Sequence, residues 1–191
     1  SQSYVNTILI DNNGYLWLST EGGLNRYDGY QVTPINGPNG ELEEAIIDRI
    51  YQDIDGYIWI ASLLEGLFRY DPATDTYKQF LSPPSNEEQI FNQSVFTMLA
   101  ADSKSLWIGR GRDFAKLDIQ SGVIESVFEL PKEYKNTLVR SLFHYNGYIF
   151  IATSHGAYVH DIANDLTRPL QHLKGEAAHV YQNNVKSFEL G

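Results

Sequence analysis

Three tryptophans, Trp17, Trp59 and Trp107, are the side chains here that could stack on a sugar ring. Three aspartates, Asp11, Asp53 and Asp102, are the ones that could ligate calcium. Neither chemistry fits their placement. Each Trp lies in an apolar segment such as Ile58-Trp59-Ile60, which marks it as core. Each Asp occurs once per repeat, too far from the others to share one ion, and its place after a strand suits the capping of a turn. The five histidines, at 144, 155, 160, 172 and 179, form no His-Glu-x-x-His or similar cluster, so neither a metal centre nor a catalytic triad is expected. Gly109-Arg110-Gly111-Arg112 lacks the Gly-Lys-Ser/Thr end of a phosphate loop. With no cysteine in the chain, disulfides, thiolate zinc sites and thiol catalysis are excluded.

The elements around these residues are repeated. Asn13-Gly14-Tyr15-Leu16-Trp17-Leu18-Ser19-Thr20 returns as Asp55-Gly56-Tyr57-Ile58-Trp59-Ile60-Ala61-Ser62. Worn copies follow at Ser105-Leu106-Trp107-Ile108-Gly109 and Asn146-Gly147-Tyr148-Ile149-Phe150-Ile151-Ala152. The aromatic anchors Trp17, Trp59, Trp107 and Phe150 are spaced 42, 48 and 43 residues apart. A period in the low forties without helical patterning points to propeller blades of four strands.

Within each copy the first strand carries apolar residues three apart: Val5 and Ile8, Ile47 and Ile50, Val95 and Met98, Val139 and Leu142. A tight turn follows, marked by Gly14, Gly56 and Gly147 behind Asn or Asp, types that accept positive φ. The third copy has no such glycine, so its turn must differ. The second strand is apolar on both faces, as a strand sandwiched between blades must be. Two residues beyond the aromatic stands a small side chain, Ser19, Ala61, Gly109 or Ala152, leaving room for the next blade. Third strands end in Asp28, Asp71, Asp118 and Asp161. Fourth strands hold Pro34 and Pro169, which suit an outer edge. The expected blades are 4–36, 46–81, 94–129 and 138–171, with 184–191 as the first strand of a fifth. The fold class is therefore all-β: one partial β-propeller of four-stranded antiparallel blades.

The chain has 191 residues, 42% of them hydrophobic, enough for a core. Its net charge is −10, a field that repels phosphate backbones and anionic lipid, so neither nucleic acid nor a membrane surface is an expected partner. No run of about 18 apolar residues offers a membrane span. Ser1-Gln2-Ser3-Tyr4 does not read as a signal peptide.

Together, Asp11 to Asp28 and Asp53 to Asp71 resemble the two-component regulator propeller repeat: Asp, a Gly-aromatic turn, an apolar strand with Trp, then Gly-Leu-x-Arg-Tyr-Asp. Copies three and four match in part. The resemblance implies the N-terminal part of a periplasmic sensor region belonging to a hybrid two-component sensor kinase or a diguanylate cyclase. It implies further propeller blades and downstream domains of the same receptor as partners, no cofactor, and no catalysis in this segment. In carbohydrate-using relatives such propellers are implicated in sensing glycan fragments. The repeat itself brings no ligand-binding residue.

The copies diverge in the loop between strands two and three. The expected ligand-contacting rim is therefore Glu21, Glu65, Arg110, Arg112, Asp113 and His155, near the central opening. A protein-interaction propeller is the main alternative. A propeller lyase or glycosidase is disfavoured, because the carboxylates lie mostly in turns. An arc of blades that does not close leaves two apolar sheet faces uncovered, so self-association is expected.

Overall fold

The structure is a computed structural model and describes residues 4–20, 22–81, 94–100, 102–131 and 137–170. The candidate fifth-copy strand at 184–191 lies outside them. Four antiparallel sheets follow one another, each with its strands in chain order. Blade one is β1 (Val5–Ile10), β2 (Leu16–Thr20), β3 (Gly23–Tyr27) and β4 (Val32–Ile35). Blade two is β5 (Ile47–Gln52), β6 (Ile58–Ser62), β7 (Gly66–Asp71) and β8 (Thr76–Leu81). Blade three is β9 (Val95–Ala100), β10 (Ser105–Arg110), β11 (Asp113–Asp118) and β12 (Ile124–Glu129). Blade four is β13 (Val139–Tyr145), β14 (Tyr148–Thr153), β15 (Gly156–Asp161) and β16 (Leu166–Pro169). The first strands β1, β5, β9 and β13 stand side by side, which turns the fourth strands outward. Pro34 and Pro169 are thus on edge strands, where a missing N–H breaks no ladder.

The repeated Asp and Trp are one device. Asp11 Oδ1 accepts from the backbone N–H of Asn13 and Tyr15, at 2.9 and 3.0 Å, and Oδ2 accepts from the Trp17 indole at 2.9 Å. Asp53 repeats this with Asp55, Tyr57 and Trp59, the last at 2.8 Å. The carboxylate folds the turn and satisfies a buried indole N–H, which would otherwise be costly. Asp102 keeps only the turn, accepting from Lys104 and Ser105. In blade four Tyr145 replaces the Asp and Phe150 the Trp, so acceptor and donor are lost together.

The turns depart from the sequence reading. Gly14 N–H donates to Asp11 C=O at 2.9 Å and Gly56 N–H to Asp53 C=O at 3.1 Å. In these turns only the glycine has positive φ, +83° and +89°. The Asp side chain already holds the preceding residues in the ordinary region. Only Asn146-Gly147 uses positive φ at both residues, 48° and 78°.

Blades pack with a fixed polarity. The Trp-bearing face of one meets the Ile-bearing face of the next. Trp17 and Leu24 pack with Ile47, Ile50, Ile60, Phe68 and Tyr70. Trp59, Ala61 and Leu67 pack with Val95, Met98, Leu106 and Ile108. Trp107 and Phe114 pack with Val139, Ile149, Ile151 and Tyr158. Ser19 Oγ donates to Ile47 C=O across the first interface at 2.8 Å. A Cβ on Gly109 would collide with Val139, and it would lie 2.7 Å from a Thr97 methyl. The small residue therefore seats the next blade's first strand, as its position in the sequence suggested. Tyr70 packs edge-on against Trp17, and buried His160 takes the same place on Trp107, 5.1 Å between ring centres.

Candidate functional site

Chemistry on this fold has to come from side chains that the blade packing releases. In every blade the ladder between first and second strands slips by one residue at the same place. Pairing jumps from Val5 to Thr7, from Ile47 to Arg49 and from Val139 to Ser141. In blade three Val95 faces Arg110 and Thr97 faces Gly109, so Phe96 is skipped. Asn6, Asp48, Phe96 and Arg140 are thus the extra residues of four β-bulges. A bulge re-aims one side chain and lets residues three apart share a face. That explains the apolar spacing of three in the first strands: Ile47 and Ile50, and Val95 and Met98, are buried in the same interfaces.

The four bulged residues, with Ile46 and Arg49, line one axial cavity of about 350 Å³. Asn6 and Arg140 belong to the first and fourth blades, so the arc bends around this space. Asp48 Oδ2 is buried without a hydrogen-bond partner. Burial pushes its carboxyl above the usual range, and the Arg49 guanidinium opposes this in part. Arg49 Nε donates to Phe96 C=O at 2.8 Å, bridging the second and third blades. Arg140 Nε donates to Ser154 Oγ at 3.3 Å. Both guanidinium side chains are exposed, and Phe96 is half-buried. The wall offers two cations, one carboxylate, one amide and one aromatic ring. Such a set recognises a polar molecule by position and charge.

The rim residues named from the sequence are placed as follows. Glu21 lies outside the described residues. Glu65 belongs to the β6–β7 hairpin, where its N–H donates to Ser62 Oγ and its C=O accepts from Gln79. Arg110 and Asp113 form an ion pair at 2.8 Å across the β10–β11 hairpin. Ser126 Oγ also donates to Asp113. Arg112 Nη2 donates to Leu130 C=O at 2.7 Å, while its Nε is buried without a partner. His155 Nδ1 lies 2.8 Å from Thr137 Oγ1. Each of the four hairpins stands at the blade end where the bulges lie, because Val5 pairs with Thr20 and Val139 with Thr153. The arrangement brings Arg110 and Asp113 together within one blade and leaves Glu65 and His155 on others. The described rim residues named from the sequence stand at the same blade end as Asn6, Asp48, Phe96 and Arg140, which the sequence reading did not single out. The signal that could have found them was the apolar spacing of three, which a regular strand does not give. Among the described residues no three His, Asp or Glu side chains converge as a metal site would require.

Four sheets packed face to face around a lined axis define an all-β propeller segment. Over residues 1–22 the chain matches the family model described as the two-component regulator propeller. Among solved structures, the extracellular domain of the putative one component system BT4673 from B. thetaiotaomicron is similar, with TM-score 0.69 and 22% identity over 87% of this chain and 22% of that one. The extracellular domain of the putative hybrid two component system BT3049 from the same organism gives TM-score 0.65 and 23% identity over 90% and 25%. Virginiamycin B lyase from Staphylococcus aureus gives TM-score 0.65 and 12% identity over 91% and 57%. The chain thus spans about a quarter or less of the extracellular sensor domains it matches. At these identities the likeness shows the fold. No curated protein matches the chain.

Proposed function

We propose that this chain is a non-catalytic, ligand-sensing segment of a bacterial signal-transduction receptor, a hybrid two-component sensor kinase or a diguanylate cyclase. It acts in the periplasm, where the ligand would be a glycan fragment or another small molecule. The observation that carries this reading is the match of the opening repeat to the two-component regulator propeller, and the likeness to extracellular sensor domains supports it. The remaining blades and downstream domains of the receptor are its partners in this reading, and the rim of Glu65, Arg110, Arg112, Asp113 and His155 completes the ligand-facing end. In the intact receptor, Glu65→Ala and Arg112→Ala should each reduce ligand-dependent output. An unchanged response removes those residues from the site.

The likeness to a lyase raises the enzymatic alternative, and the axial cavity answers it in part: its single carboxylate, Asp48, has no second acid or His beside it among the cavity residues. A protein-interaction role is separated by titration calorimetry. Heat with oligosaccharides supports the sensor; heat only with other domains of the receptor supports interaction.

A further inference from the structure

We infer that the axial cavity ringed by the four bulged residues is a binding site for a small hydroxylated anion of the sugar-acid class, held by Arg49, Arg140 and Asp48 against the Phe96 ring.

The frame and the chemistry separate cleanly at this position. The residues before the bulges, Val5, Ile47, Val95 and Val139, are alike, and all but the first are buried between blades. The bulged residues, Asn6, Asp48, Phe96 and Arg140, are all different and converge on one space. A bulge gives up a ladder position and is a designed feature when repeated. Here it projects one side chain per blade toward the axis without disturbing the packing.

The wall selects the ligand. Arg49 and Arg140 outnumber Asp48, so the cavity is locally cationic in a chain whose net charge is −10. Guanidinium groups pair with carboxylate in a fixed geometry, which calls for an anionic group on the ligand. A metal cation is disfavoured by the same two charges. Asp48 lines the cavity beside the two guanidiniums, and its carboxylate is an acceptor-only group, which calls for a hydroxyl donor on the ligand. Asn6 can donate and accept around the same hydroxyls. Phe96 offers an apolar surface to the C–H face of a ring. A bare phosphate would leave Asp48 and Phe96 unused, and a neutral sugar would leave both guanidiniums unused. The volume, about 350 Å³, is at the lower end for small-molecule sites and suits one sugar unit.

This inference rests on the ligand-sensing reading but is tested apart from it. Direct binding is measured on the purified full chain, whereas the sensory role is read from receptor output. Titration calorimetry with D-glucuronate should show saturable binding. D-Glucose, inorganic phosphate and L-glutamate should each bind at least about tenfold more weakly. Arg140→Met, at an exposed side chain, and Asp48→Ala should each raise Kd by about tenfold or more, with melting transitions that show a folded protein. Should Asp48→Ala fail to fold, Phe96→Leu takes its place and should also weaken binding. No saturable binding at about 10 mM glucuronate overturns the site. Glutamate or phosphate binding as tightly as glucuronate overturns the ligand class, and unchanged affinity in the folded variants overturns the location.

Discussion

The Asp53 carboxylate accepts two backbone N–H groups and a buried indole, so one side chain secures both the turn and the core. Asp53→Ala would leave the Trp59 indole without its acceptor and should destabilise the chain by about 3 kcal/mol in denaturant unfolding. A loss well under about 1 kcal/mol would show that water replaces the carboxylate. His160 is governed by burial instead. Its imidazole is held below the usual range by desolvation, which outweighs the attraction of Asp165 and Asp161 and is aided by Lys116. The unfolded chain then binds the proton more tightly than the folded one. Stability should be full above about pH 6.5 and fall as pH drops from there toward the lower folded pKa. Melting temperature measured from pH 7.5 downward checks the direction. His160→Tyr, which copies Tyr70 of the first interface, should flatten that dependence. A variant as pH-sensitive as the parent would assign the effect elsewhere.

At the scale of elements, the first strand and its bulge set the geometry. Between Val95 and Met98, one unpaired residue lets both apolar side chains face the same neighbour while Phe96 turns to the axis. The interface works only if the opposing strand is slim where the next blade's first strand crosses it. Gly109→Ala would place a methyl into Val139 and Thr97, both on strand backbones that packing holds. It should cost about 1–3 kcal/mol, read as a lower denaturation midpoint with unchanged slope. Ala61→Gly at the matching place in blade two should cost less than about 2 kcal/mol, because it opens space instead of filling it.

At the scale of the molecule, the same polarity leaves two faces uncovered by any of the described residues. On the first blade Ile8 and Ile10 are 60% and 69% exposed, and on the fourth Phe143 and Tyr145 are 43% and 44% exposed. The first is an Ile-bearing face and the second a Trp-type face, the two kinds that meet at every internal interface. In isolation, a second copy of the chain should satisfy them head to tail. Sedimentation velocity should show concentration-dependent association, and Ile8→Glu should abolish it. A parent chain that stays monomeric at high concentration would falsify this expectation.

Much of this was legible in the residues. The period of the aromatic anchors, the Gly turns and the small residue after the aromatic determine blades, hairpins and the packing of one blade on the next. Those are local, repeated patterns, and the repeat averages out the noise of any single copy. The Asp11–Trp17 bond was not legible as a bond, although both partners were read correctly as turn cap and core. The axial site was decided by tertiary structure. Asn6, Asp48, Phe96 and Arg140 lie in different blades, and nothing in a one-dimensional chain shows that four slips in register aim them at one space. Convergence depends on how neighbouring blades turn about an axis, and only the packed sheets fix that.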